Sequence, residues 1–336
     1  MKYFMIATAL RESFGKGVRR LLPGVPIFCS IGPAGTWACI VFCSLCADVE
    51  WIGEIMSTKG ADLPDLANPP VVEVAVSAQF DRIPGLTGAH FGLFWASPEI
   101  RSSFPHAEEH PPVQSTIEVE GSGFVEPQVQ FQVHQTMPSP RYFLLNESKT
   151  QLIQLQADRI SHNWRKVGGG EDYPRYERIR DGFKRELDLL QDFLGQQKIG
   201  MLVPNQCELT YVNHIEVDQS VPGGITIADL IRPWSNEHSK VNGATLESLK
   251  LDLKYNMQTD DGAFLGRLHV SVQPAIRNLD KKWIYALILT ARGKPIGDGT
   301  EGVVSFLDHA RQIMGSGFLQ LTTDKMQAAW GGDERG

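Results

Sequence analysis

The sequence predicts an α+β fold made of two similar antiparallel-sheet units, each covered by one long amphipathic helix. Strand-like segments come in runs, and apolar residues recur at helical spacing in two long segments, 173–195 and 302–318. The predicted elements follow the order β-α-β-β-β-α in residues 68–200 and β-β-β-β-α in residues 201–331. Because a helix that follows a sheet can cover one of its faces, we expect both units to pack as one body.

The composition is typical of a folded globular protein. Of the 336 residues, 42% are hydrophobic and 21% are charged, and the net charge is −7. This negative net charge does not favour nucleic-acid binding in general, because such binding usually requires a basic surface. Residues 159–185 are locally basic, with eight Lys and Arg residues. A solvated helix face explains this pattern, and a nucleic-acid-binding surface there remains an alternative.

Residues 1–67 are predicted to be an N-terminal extension outside the core. Residues 21–47 contain no charge, so a membrane anchor through this run is an alternative on length alone, although Pro and Gly would interrupt a helix there. Met56 and the polar residues after it resemble an ordinary N-terminus, so we expect residues 1–55 to be upstream sequence with a misassigned start. Four of the five cysteines fall in this region, and a body without a disulfide framework predicts a cytoplasmic protein.

The first unit opens with the strand "VVEVAVSAQF", in which valines alternate with other residues. A helix interrupted near Pro98 and a long loop come next, and the remaining elements are strands before the helix at 173–195. The predicted bounds are strand 71–80, helix 87–104, loop 105–127, and strands 128–136, 141–146 and 151–167.

The helix at 173–195 has the clearest pattern in the chain. Pro174 suits its first turn, where a missing N–H costs nothing, and Gly195 suits its end. Six apolar residues recur at three- and four-residue spacing and predict one buried stripe. They are Tyr176, Ile179, Phe183, Leu187, Leu190 and Leu194.

The second unit repeats the order of strands followed by a long helix. An excursion rich in Pro, Gly and Ser separates its first strand from the rest, and a short helix capped by Thr322 or Thr323 ends the chain. The predicted bounds are strands 207–217, 249–257, 264–274 and 282–293, excursion 218–245, and helices 302–318 and 322–331.

Along 151–167 the apolar and polar series exchange faces beside Asp158. A regular strand cannot keep one core face through such a change, because side chains alternate with a period of two. Either a β-bulge near Asp158 restores the phase, or Arg159, Asn163 and Arg165 turn inward to a polar pocket. The first alternative predicts a structural Asp158–Arg salt bridge, and the second predicts a ligand or partner site.

Five segments resemble a sporadically distributed family of bacterial and archaeal proteins with no agreed activity. They are "NPPVVEVAVSAQFD" (68–81), "QLQADRISHNWRK" (154–166), "YPRYERIRDGF" (173–183), "TYVNHIEV" (210–217) and "FLQLTTDKMQAAWG" (318–331). The resemblance covers residues 60–331 and implies that related chains begin shortly before the first segment. It supplies no catalytic residues, and the sporadic occurrence implies a role accessory to a mobile or defence-related module.

Several motifs are weak evidence for chemistry. "HAEEH" (106–110) has the order of an inverted zinc-protease motif but lies between prolines, so it lacks the helix that the motif needs. "GKPIGDGTEG" (293–302) lacks the Lys-Ser/Thr of a phosphate-binding loop. His162, His214 and His269 lie in predicted strands and are expected to be packed or paired. The sequence predicts no metal site and no cofactor.

The remaining candidates combine Arg, Tyr, Trp and Asn, which suit binding better than bond cleavage, because no nucleophile–base pair is evident. The predicted ligand-binding residues are Glu73, Arg159, Asn163, Trp164, Arg165, Tyr173, Arg175, Tyr176, Tyr211 and Asn213. Three functions remain open: a binding or interaction protein with a protein partner, an enzyme for a small anionic or nucleotide-like substrate, and a nucleic-acid binder. A buried polar network that fixes sheet register is the structural alternative for these residues.

Overall fold

The computed structural model describes residues 27–31, 37–41, 66–122, 140–216, 225–235, 237, 240–246, 248–259 and 261–332. The chain divides into two compact units, residues 1–60 and 61–336. In the first unit, β1 (Ile27–Ile31) pairs antiparallel with β2 (Trp37–Val41). The predicted strand 128–136 and most of the N-terminal extension lie outside the described residues. No helix in the described part of the chain has the length and apolar character needed to span a membrane.

The second unit contains one antiparallel sheet of nine strands, in the order β11-β12-β13-β8-β3-β7-β6-β5-β4. This confirms the α+β class with an antiparallel sheet. The strands β9 (Lys240–Val241) and β10 (Ala244–Thr245) form a separate ribbon. The bounds of the nine strands are β3 Val71–Phe80, β4 His106–His110, β5 Arg141–Leu145, β6 Gln151–Gln156, β7 Arg159–Arg165, β8 Pro204–Glu216, β11 Leu251–Gln258, β12 Phe264–Ile276 and β13 Trp283–Gly293.

Six helices accompany the sheet in the described part of the second unit: α1 Gly88–Trp95, α2 Pro98–Arg101, α3 Tyr176–Gln197, α4 Ile227–Leu230, α5 Gly299–Leu321 and α6 Asp324–Ala329. The two long helices, α3 and α5, lie side by side on the same face of the sheet. Helix α3 packs against β7 and β3, and α5 packs against β8 and β13. The opposite face, which we call the open face, carries neither long helix.

The nine-stranded sheet divides at the β3–β8 pairing into two halves, one containing β3 to β7 and the other containing β8 and β11 to β13. In each half the first strand (β3 or β8) is central, and the last strand before the long helix (β7 or β13) lies next to it. The earlier strands extend outward from that pair. The halves join where β3 pairs antiparallel with β8, so both contribute to one continuous sheet.

The six predicted core positions of α3 are all buried, which confirms the amphipathic stripe. The helix begins at Tyr176, so Pro174 precedes it. It also continues past Gly195 to Gln197, and Lys198 ends it with a left-handed φ of 55°. Residues 106–110 were predicted to be loop but form the edge strand β4, because pairing with β5 compensates for the flanking prolines.

The prediction of one long strand over 151–167 is wrong. Residues 151–156 and 159–165 form two strands, β6 and β7, joined by a two-residue turn at Ala157 and Asp158. Directly paired residues of antiparallel strands share a face, so Leu155 and Ile160 remain on the helix side although the chain parity changes. The turn contains neither Asn-Gly nor Asp-Gly, the usual sequence signals of a two-residue hairpin. The sequence therefore did not indicate a turn at this position. The hairpin accounts for the exchange of faces without a bulge.

A strap, residues 111–122, crosses the open face and is held by a row of glutamine side chains. Gln156 on β6 accepts from Val113 N and donates to Val113 O, both at 2.9 Å. Gln79 on β3 accepts from Thr116 N at 3.1 Å, and Gln206 on β8 accepts from Glu118 N at 3.0 Å. These amides replace the backbone pairing that a strand would have supplied, so the strap is fixed without joining the sheet.

Glu118 anchors the far end of the strap. Its buried carboxylate accepts hydrogen bonds from Arg267 at 2.5 Å and His269 at 2.7 Å, and Arg292 lies 3.3 Å away. Burial by itself would raise the pKa of Glu118. Hydrogen bonds from His269 and Arg267, together with the positive charge around the carboxylate, lower this pKa by a larger amount. The pKa is held at about 2, below the ordinary 4.5.

This depressed pKa predicts how stability depends on pH. The unfolded carboxyl takes up a proton near pH 4.5 and the folded one near pH 2, so the stabilisation is full above the first value and is lost as the pH falls towards the second. It amounts to roughly 3 kcal/mol in the free energy of unfolding. We expect the stability difference between wild type and Glu118→Gln to shrink over that interval, measured by urea unfolding at successive pH values. A difference that stays constant would contradict the prediction.

Candidate functional site

The ten predicted site residues lie on two faces of the sheet. Four of them occupy open-face positions: Glu73, Asn163, Arg159 and Arg165. Glu73 on β3 pairs with Arg165 on β7, and successive residue pairs along these two strands alternate between the two faces of the sheet. The other six lie on the helix side: Trp164, Tyr173, Arg175, Tyr176, Tyr211 and Asn213. The structure therefore does not bring all ten into one site.

Two of the open-face residues, Asn163 and Glu73, belong to a hydrogen-bonded chain that runs across four strands, whereas Arg165 donates to the carbonyl of Lys149 at 3.2 Å. Arg141 donates to Gln154 at 2.9 Å, Gln154 to Asn163 at 2.8 Å, and Asn163 to Glu73 at 2.7 Å. Arg159 donates to Gln79, the same glutamine that holds the strap. Hydrogen bonds between side chains of neighbouring strands help to fix the register of those strands.

The helix-side group forms a pocket, which we call the tyrosine pocket. It is a cavity of about 70 Å³ that opens to solvent at its mouth. Apolar walls come from the start of β3, from β13 and from α5. Polar groups converge on it from Tyr173, Arg175, Tyr211, Asn213 and Arg311. An apolar cavity with a few convergent polar groups has the character of a small-molecule site.

The two tyrosines of the pocket stay neutral. Their hydroxyl oxygens are 3.3 Å apart, and burial raises the pKa of both Tyr173 and Tyr211. A neutral phenol can donate a hydrogen bond to an anion, whereas a phenolate would repel it. The amide of Asn213 donates to the carbonyl of Leu287 at 3.0 Å, so this side chain is held in place by β13.

Arg311 on α5 was not among the predicted residues. Its guanidinium carbon lies 5.7 Å from the ring centroid of Tyr211 and 5.9 Å from that of Tyr176. Its buried Nε has no hydrogen-bond partner in the described part of the chain. Arg311 falls on the same helical stripe as Leu307, Met314 and Phe318, and a charge within an apolar stripe was the sequence signal for it.

Tyr176 and Trp164 support the pocket from outside. The Tyr176 hydroxyl donates to Asp308 at 2.8 Å, and Arg180 donates to the same carboxylate at 2.9 Å, which ties α3 to α5. The Trp164 ring lies 5.4 Å from that of Tyr173, measured between centroids. Both contacts fix the segment that carries Tyr173 and Arg175.

No protein-family model, curated protein or solved structure matches this chain. The family resemblance therefore stays a prediction, and the site is defined by its geometry. Within the described ranges, no group of three or more His, Cys, Asp or Glu residues could hold a metal ion.

Arg175 lies at the mouth of the pocket in an unusual backbone conformation, with φ of 71° and ψ of 155°. This region is essentially restricted to glycine and costs a residue with a side chain on the order of 1–3 kcal/mol. Such strain occurs where the rest of the fold requires one side chain at one position. Here it places the Arg175 guanidinium at the edge of the tyrosine pocket.

Replacing Arg175 by Gly should stabilise the protein, because glycine adopts this backbone conformation without strain. Relief of the strained φ should raise the free energy of unfolding by about 1 kcal/mol after the entropy cost of glycine, as measured by urea denaturation. The matched control, Arg178→Gly in the first turns of α3, should lower it by a similar amount. Destabilisation by Arg175→Gly would show that the contacts of this side chain outweigh the strain.

Proposed function

We propose that this protein binds a small anionic molecule with an apolar body in the tyrosine pocket. The main support is Arg311, which lines the pocket and whose buried Nε, like that of four arginines outside the pocket, has no hydrogen-bond partner within the described residues. A polar atom without a partner is costly in an apolar setting, and a bound anion would remove that cost. A guanidinium also offers the planar donor fork that carboxylates and phosphates match.

The remaining pocket residues are consistent with such a ligand. Arg175 adds a second positive charge at the mouth, and Tyr173 and Tyr211 add neutral donors. The walls formed by Val71, Leu289, Met314 and Phe318 suit an apolar body. The residues come from both halves of the second unit. We also propose that these halves are two similar units, because the first strand of each lies at the centre of the sheet and the last strand lies next to it.

Binding is favoured over catalysis in this pocket, because its described residues include no nucleophile beside a general base. The nucleic-acid alternative has less support. Basic residues of segment 159–185 lie on both faces of the sheet, and some are neutralised, as in the pairs Arg180–Asp308 at 2.9 Å and Lys184–Glu301 at 2.7 Å. A protein partner and a role beside a mobile or defence-related module remain predictions from the resemblance.

A thermal-shift titration tests the proposal. Wild-type protein would be screened against benzoate, phenyl phosphate and octanoate, with benzyl alcohol and octanol as uncharged counterparts. At a hundredfold excess over Kd, a bound acid should add about 2.7 kcal/mol of stability, which corresponds to a rise in Tm of roughly 5 °C or more. The uncharged counterparts should give much smaller shifts.

Arg311→Met should weaken the binding of the same acid about 10- to 100-fold, because a hydrogen-bonded charge is lost. Methionine suits the apolar stripe of α5, so the fold should be retained. Arg82→Met, beyond the opposite end of β3 from the pocket, is the control with the same loss of charge. Equal binding by wild type and Arg311→Met, or no shift with any acid, would refute the proposed function.

A further inference from the structure

A second cavity lies over β7 beside α3 and contains a buried histidine–carboxylate pair. Nδ1 of His162 is 2.8 Å and 2.9 Å from the two carboxylate oxygens of Glu186. The two side chains are only 5% and 2% exposed. Since a carboxylate can only accept, Nδ1 carries the proton and Glu186 fixes the ring orientation. The other nitrogen, Nε2, is left available on a ring that lines the cavity.

The cavity is an open cleft of about 590 Å³ whose wall on α3 is formed by one helical stripe. Arg178, Gly182 and Arg185 follow one another at four- and three-residue spacing, so they share a face of the helix. A Cβ on Gly182 would lie 3.8 Å from Cε1 of His162. Glycine costs about 1 kcal/mol in a helix interior, and here the absence of a side chain leaves one edge of the largely buried imidazole next to the cleft.

The charges at the rim favour an anion. Arg178 and Arg185 are exposed, and neither forms an ion pair within the part of the chain that the structure describes. The two carboxylates that line the cleft are both engaged, Glu186 by His162 and Asp181 by Arg180 at 3.0 Å. The two free guanidinium groups are two helical turns apart, about 10 Å along the axis, and their long side chains can converge on a group between them.

We propose that this cleft binds a small phosphomonoester, with Arg178 and Arg185 on the phosphate oxygens and His162 as the third donor. Three terminal oxygens and a double negative charge match two guanidinium groups and an imidazolium, in which Glu186 accepts from Nδ1 and a second proton, taken up at Nε2 on binding, is donated to the phosphate. A phosphodiester offers one fewer terminal oxygen and half the charge. The site is separate from the tyrosine pocket, since Arg311 contributes to that pocket and does not line this cleft.

The test follows the imidazole nitrogen signals of His162 by NMR during titration at pH 7.5 with methyl phosphate, dimethyl phosphate and inorganic phosphate. His162→Gln identifies the signals by their loss. Methyl phosphate should shift Nε2 in a saturable way and bind at least tenfold more tightly than dimethyl phosphate. Arg178→Gln and Arg185→Gln, both at exposed positions, should each weaken binding at least tenfold.

Gly182→Met should abolish the shift by filling the cleft. Gly195→Met on the same helix, where a Cβ meets nothing within 4 Å, should leave it intact. Arg311→Met should also leave it intact, so failure of this site and failure of the tyrosine pocket are distinguishable. Unchanged His162 signals, equal affinity for the diester, or binding that survives the arginine substitutions would overturn the proposal.

Discussion

The antiparallel pairing of β3 with β8 joins the two halves of the sheet, and both cavities depend on it. The register places Val74 opposite Tyr211 and Val76 opposite Leu209, so the apolar positions of both strands face the same side. The long helix of each half covers that side. Because the first strand of each half is central, α3 and α5 are brought together over the join. A one-residue slip here would move both apolar series to the open face.

The short segment before α3 separates the two cavities. Tyr173 and Arg175 line the tyrosine pocket, and Pro174 between them lines the cleft with His162. The Tyr176–Asp308 hydrogen bond fixes the same segment to α5.

The open face is stabilised differently from the helix side. There, hydrogen bonds link the row of glutamines to the strap, join Arg141 to Glu73 through Gln154 and Asn163, and hold the Glu118 anchor. This explains why Arg159 and Asn163, which resemble ligand-binding residues in the sequence, are engaged within the protein. Residue type alone cannot distinguish a donor aimed at a ligand from one aimed at a neighbouring strand.

The sequence by itself determined the α+β class, most strand positions and the buried stripe of α3, because these follow from the local period of apolar residues. It also indicated Tyr173, Arg175, Tyr211 and Asn213, four residues that the fold gathers in one pocket. Only the tertiary structure decided which face each side chain occupies. The unmarked turn at Ala157 and Asp158 changed the face assignment, and the partners of His162, Glu118 and Arg311 lie too far away in the chain for any local pattern to encode them.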